Sequence, residues 1–225
     1  MPSWPEVLAL MPFLSETSAV LGLVLASSLI VLLRDWRFTI LSLLVQYVLV
    51  NVLLVHFIPA EIALFKFIVG AMLCPVLFMS RRRTETDVPR RGRTRWKHGV
   101  RVRATREVFG IGLSFRFLGI VLIGLMAYAF LQRFALSGVP PHLNFAVYWL
   151  SLMGLLTMML SGYPLKAGAG LLTFLTGFEL YYVTIERGLV VTGLLGILHL
   201  MVALALAYLI AVQMPSSGAE GTLEG

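Results

Sequence analysis

One cysteine, four scattered histidines and few charges set the first limits on this 225-residue chain. A single cysteine, Cys74, cannot close an internal disulfide or hold an iron–sulfur cluster by itself. His56, His98, His142 and His199 have no HExxH or CxxC companion, so no protein-made metal site is expected. The Gly110-Ile111-Gly112 pair lacks the third glycine of a dinucleotide fingerprint and follows no strand. No cofactor is therefore expected. The first 17 residues hold Pro2, Pro5, Pro12 and two glutamates but no Lys or Arg. They lack the basic start of a secretory signal. Charged residues make up 13% of the chain, against about 25% in soluble domains.

What is present is apolar. Hydrophobic residues make up 59% of the sequence, with a mean hydropathy of +0.90. The expected fold class is all-α: a polytopic membrane protein with about seven transmembrane helices. Helices are required because lipid offers the backbone no hydrogen-bond partners. Barrel strands would be about ten residues long and alternating. The expected spans are Ser18–Leu33, Phe38–Ile58, Ala60–Met79, Val108–Leu131, Leu143–Leu160, Ala167–Ile185 and Leu189–Val212. Residues 1–17 read as an outer interfacial segment and 213–225 as a disordered tail. Residues 18–80 form one three-span bundle and 132–212 another, with the 108–131 span as linker. The two bundles share the order helix, short basic turn, helix, short turn, helix, which would make them parallel repeats. Gly70, Cys74 and Pro75 are expected to thin and kink the third span.

The net charge of +7 is concentrated in residues 81–107. Arg81, Arg82, Arg83, Arg90, Arg91, Arg93, Arg95, Lys97, Arg101, Arg103 and Arg106 face only Glu85, Asp87 and Glu107 there. Loops after the first, third and fifth spans carry Arg34, Arg37, this cluster and Lys166, while the opposite loops carry Arg133 and Arg187. The positive-inside rule places the cluster in the cytoplasm, the N-terminus outside and the C-terminus inside. The cluster reads as topogenic charge, as contact with anionic lipids or as docking to an acidic partner. Trp96 is its only aromatic, so nucleic acid is not expected.

Function is sought in the few polar groups within the spans. Glu179 lies about 9 Å inside the end of its span at Ile185, and Lys66 about 9 Å inside Ala60, at 1.5 Å per residue. Asn51, at about 10 Å, shares their level. Thr176 and Tyr182 flank Glu179 one turn away on either side. A charge in hydrocarbon costs at least about 2.5–3.5 kcal/mol, so it needs a partner, a proton or a water path. Glu179 and Lys66 therefore read as a proton path, as a structural ion pair, or, for Lys66, as a side chain snorkelling to the surface. His199, about 15 Å into the last span, reads as a relay or a packing residue. Gln46 reads as helix-to-helix glue, Arg116 as snorkelling and His56 as interfacial. Gly168, Gly170, Gly177, Gly193 and Gly196 mark close helix packing.

Two stretches resemble known families. Lys166 followed by Thr176-Gly177-Phe178-Glu179-Leu180 is similar to the basic turn and Gly-Leu-Glu element of the K subunit of respiratory complex I and the C subunit of multisubunit cation/proton antiporters. Phe178 replaces the usual leucine, and the last span lacks that family's second carboxylate. Trp36-Arg37-Phe38 and Phe65-Lys66-Phe67, running on to Cys74-Pro75-Val76-Leu77-Phe78-Met79-Ser80-Arg81, resemble the seven-span hydrogenase-4 component E family. The basic loop is longer here. The resemblance implies a non-catalytic subunit of a proton- or cation-translocating complex in the bacterial inner membrane. Antiporter-like membrane subunits would be its partners, and Glu179 would lie on an ion path. A self-contained small-solute transporter or channel, and an assembly scaffold that docks partners through the basic loop, are the competing classes. On the topology, a cysteine at Gly92 on a Cys74→Ser background should resist an impermeant thiol reagent in intact cells. Labelling equal to that of an outer-loop cysteine would overturn the assignment.

Overall fold

The computed structural model describes residues 16–33, 35–55, 60–86, 112–134, 138–185 and 188–212. Most of the interfacial segment, His56, the cluster from Arg90 through Lys97 to Arg106 and the tail lie outside the described residues. The described chain is all helical: α1 Glu16–Leu32, α2 Trp36–Val55, α3 Ala60–Thr86, α4 Leu113–Arg133, α5 Pro141–Met159, α6 Pro164–Ile185 and α7 Leu189–Val212. By length and composition, five of these, α2 and α4 to α7, are long and apolar enough to cross a membrane. The described apolar stretches of α1 and α3, Thr17–Leu32 and Lys66–Ser80, are shorter.

α1 and α2 begin two residues before the expected Ser18 and Phe38, and α4 begins at Leu113, after Gly112, where Val108 was expected. Three further boundaries differ, each for a local reason. α5 and α6 begin at Pro141 and Pro164. Proline suits the first turn, where its missing N–H has no partner to lose. The apolar run of α3 ends near Ser80, but the helix continues through Arg81, Arg82 and Arg83 to Thr86, because arginine is a good helix former. Pro75 lies inside that continuous helix.

The helices stack in two layers, α1-α2-α3 and α5-α6-α7. Each helix packs on its counterpart: α1 on α5, α2 on α6 and α3 on α7. α4 sits outside against α5 and α1. It buries only Ile120 and Ala127, which suits a span whose other faces meet lipid. The tightest packing is α5 against α6. A Cβ on Gly154 would lie 2.5 Å from the backbone nitrogen of Phe174 and 2.7 Å from the carbonyl oxygen of Gly170. Gly170 and Gly177 press equally closely on α5. Small residues let backbones approach where lipid removes the hydrophobic drive for association. Gly193, expected to pack, meets nothing within 4 Å, and Gly154 takes its place as a packing residue.

Polar ties join the layers. Trp149 Nε1 on α5 donates to Ser27 Oγ on α1 at 2.7 Å, and Ser27 donates on to the Leu23 carbonyl at 2.7 Å. At the end where α1 stops and α6 starts, Lys166 Nζ donates to the carbonyls of Val31 (3.0 Å) and Leu33 (2.9 Å). Arg116 Nη1 on α4 donates to the same Val31 oxygen at 3.2 Å. These two cations satisfy the open carbonyls at the negative end of the α1 dipole. Arg116 thus caps a neighbouring helix, where snorkelling was expected. Trp36 packs against Phe78 with the rings tilted and their centroids 5.6 Å apart, which ties α2 to α3 at this basic end.

Overpacking a close contact costs about 1–3 kcal/mol, and at Gly154 the obstacle is backbone that cannot rotate away. Gly154→Val should lower the melting temperature and broaden the size-exclusion peak of the detergent-solubilised protein, while Gly193→Val should leave both unchanged. Equal effects from the two would show that the α5–α6 approach is not tight.

Candidate functional site: a buried lysine–glutamate pair

α6 packs on α2 and α7, and α3 packs on the same two helices. The two helices that carry the charges are thus held across a shared junction. The unbranched Lys66 side chain bridges it. Lys66 Nζ lies 2.6 Å from Glu179 Oε1, with side-chain exposures of 6% and 7%. The lysine turns inward, and the snorkelling alternative is overturned. Removing two ions from water costs several kcal/mol each, and their attraction offsets this only at close range. A 2.6 Å separation meets that condition.

A cavity of about 20 Å3 opens beside the pair, lined by Tyr47, Asn51, Lys66, Gly70, Glu179, Gly196 and His199 among others. One water needs about 10–15 Å3, so the space suits a single molecule. Asn51 anchors its amide by donating Nδ2–H to the Tyr47 carbonyl at 2.9 Å. Asn51 Oδ1 is buried and has no hydrogen-bond partner among the described residues. His199 Nδ1 lies 2.9 Å from the Leu195 carbonyl, and its ring meets Tyr47 edge-on at 6.0 Å. Thr176 is fully buried and donates to the Leu172 carbonyl at 2.8 Å, with its hydroxyl near that of Tyr47.

The structure therefore gathers Lys66, Glu179, Asn51 and His199 around one cavity, with Thr176 beside it. Tyr182 does not line it: its ring packs on Phe178 at 6.3 Å, on the half-exposed side of α6. Gln46 lies earlier on α2 and outside the cavity lining, where Thr173 Oγ1 on α6 donates to its Oε1 at 3.4 Å. Arg81, Arg82 and Arg83 belong to the last turns of α3, while Arg90, Arg91, Arg93, Arg95 and Lys97 lie outside the described residues. Tyr47, which sequence reasoning missed, is the residue that orients both Asn51 and His199. Its signal was its place one turn before Asn51 on a helix that otherwise carries few polar groups.

Among the described residues no group of three His, Cys, Asp or Glu side chains converges on a metal position. The arrangement can hold a proton at either member of the ion pair and can bind one small polar molecule. Compared with known proteins, the chain matches no family model, no curated protein and no solved structure.

Breaking a buried pair by removing one partner typically costs about 3–5 kcal/mol, because the survivor is left uncompensated. Lys66→Met and Glu179→Gln should each lower thermal stability in detergent, and the double variant should recover part of the loss. Strictly additive losses would mean that the two groups do not support each other.

Proposed function

We propose that the chain is a non-catalytic integral membrane subunit of a proton- or cation-translocating complex, to which it contributes an intramembrane ion path through Lys66 and Glu179. One observation carries this reading: a 2.6 Å ion pair, buried between layers of apolar helices, beside a cavity with room for one water. Charges held inside a membrane protein mark ion pathways by default. A pair that can neutralise itself by moving one proton has two states of equal net charge, which is what a transport step needs. The resemblance to the hydrogenase-4 component E and complex I K-subunit families points the same way. It makes antiporter-like subunits the expected partners and leaves the driving reaction to them. In this reading all seven helices span the bacterial inner membrane. The end holding Arg37, Arg116 and Lys166 is cytoplasmic, and the 81–107 cluster meets anionic lipid or a partner there. At the pair itself, the space of about 20 Å3 suits a water rather than a larger solute.

The test is proton uptake in vesicles, measured alongside turnover of the driving reaction in the natively purified assembly. Glu179→Gln, and the Lys66→Met/Glu179→Gln double variant chosen for its better folding, should assemble and turn over while losing most proton translocation. Glu179→Asp should be milder. An assembled double variant that pumps at the wild-type stoichiometry would reduce the pair to a structural role. Purification of the chain as a homo-oligomer without large membrane partners would count against a subunit of any complex.

A further inference from the structure

His199 is 2% exposed and is held by two contacts that fix its chemistry. A carbonyl only accepts, so Nδ1, 2.9 Å from the Leu195 oxygen, carries the hydrogen. The neutral ring then has its lone pair on Nε2. That atom is buried, has no hydrogen-bond partner among the described residues, and belongs to a ring that lines the cavity beside the ion pair. Tyr47 meets the ring edge-on at 6.0 Å.

Two other groups of the cavity complement this lone pair. Asn51 has its Nδ2–H committed to the Tyr47 carbonyl, so Oδ1 is left as an acceptor. Lys66 has three N–H groups, and the contact with Glu179 uses one. Lys66 therefore faces two acceptors across a space of about 20 Å3, and Tyr47, which also lines it, has a buried hydroxyl with no hydrogen-bond partner among the described residues. A water molecule is the ligand that fits both the volume and this pattern. It accepts from Lys66 and donates to Asn51 Oδ1 and His199 Nε2, the roughly three bonds usual for a buried water.

We propose that a single water bound between Lys66, Asn51 and His199 makes His199 the proton acceptor of the Lys66–Glu179 pair. This rests on the ion-path reading and adds its next station. Counted from the shared end of α6 and α7, Glu179 lies about 9 Å deep and His199 about 15 Å, so the step runs about 6 Å toward the basic end. An N–H bond of the Lys66 ammonium breaks and its proton passes to the water. One of the water's own protons bonds to Nε2. Lys66 becomes a neutral amine, His199 an imidazolium, and Glu179 keeps its charge, so the cluster's net charge is unchanged.

The water is read on the full chain in lipid nanodiscs by 15N-histidine NMR, with His56, His98 and His142 replaced by glutamine so that His199 alone reports. The expected spectrum shows the Nδ1–H tautomer, with unprotonated Nε2 in contact with water protons. That contact should disappear in Asn51→Leu, which fills the space and removes an acceptor. An Nε2–H tautomer, no water contact in the otherwise unaltered chain, or contact that persists in Asn51→Leu would overturn the site. For the proton step, His199→Gln in the assembled complex should lower proton uptake per turnover by about tenfold or more, the scale of a positioned proton-transfer group. Wild-type uptake would remove His199 from the path. Because the water contact is measured without the complex, it fails or survives separately from the transport role of Lys66 and Glu179.

Discussion

An ammonium and a carboxylate 2.6 Å apart in an apolar bundle cannot be brought out of water one at a time. Each alone carries a desolvation cost of several kcal/mol, so they enter together or not at all. This constrains the rest of the bundle. α3 must lie where its lysine can reach α6, and α2 and α7 must close around the junction to exclude lipid and bulk water. Both packing relations are present: α2 and α7 each touch α3 and α6. The charged pair is therefore also a positional device. It fixes the rotation of α3 and α6 about their own axes, which apolar packing against lipid-like neighbours specifies poorly.

Other parts of the fold hold that junction in place from a distance. Gly154, Gly170 and Gly177 bring α5 onto α6 at backbone contact, which leaves the Glu179 face of α6 turned toward α2 and α7. Lys166 and Arg116 clamp the last carbonyls of α1. In doing so they join the start of α6 and the start of α4 to the first layer. Without that clamp the open carbonyls of α1 would need water at a place where helices crowd. The same cations thus end a helix, satisfy its dipole and lock the two layers at the basic end.

Much of this was legible in the residues, and the failures have physical causes. The shared level of Lys66, Glu179 and Asn51 came from counting residues inward at 1.5 Å each, and that arithmetic is insensitive to errors of one or two residues at a helix end. Assigning faces is less forgiving. Each step of three residues rotates a helix by about 60°. Thr176 and Glu179 fall within the buried arc of α6, but Tyr182, one step further, reaches its edge beside Phe178. Helix starts were misplaced at Pro141 and Pro164, where proline looks like a turn and is in fact a first helical residue. Gly154 escaped notice because one glycine in an apolar run has no local signal. Its meaning lies in Gly170 and Phe174 on the facing helix. Arg116 failed for the same reason, since its carbonyl partner is 85 residues away in the chain.

The stacking of the layers makes the site's asymmetry informative. Asn51 and Glu179 each lie fifteen residues after the first residue of α2 and α6, Trp36 and Pro164, on helices that pack against each other as counterparts. Equivalent positions thus carry an amide in one layer and a carboxylate in the other. Two carboxylates at this level would repel, and two amides could hold no proton. With one of each, a single lysine from the first layer is enough to balance the charge, and the amide oxygen is left to orient whatever small polar molecule enters between them. The lysine itself comes from α3, whose counterpart α7 supplies His199 to the same cavity. The first layer therefore contributes Lys66, and the second Glu179 and His199, as groups that can take up or release a proton, and the cluster exists only where the two layers meet. An arrangement of this kind ties chemical competence to the docking of the layers, so a movement between them of even an ångström would be felt first at the 2.6 Å contact.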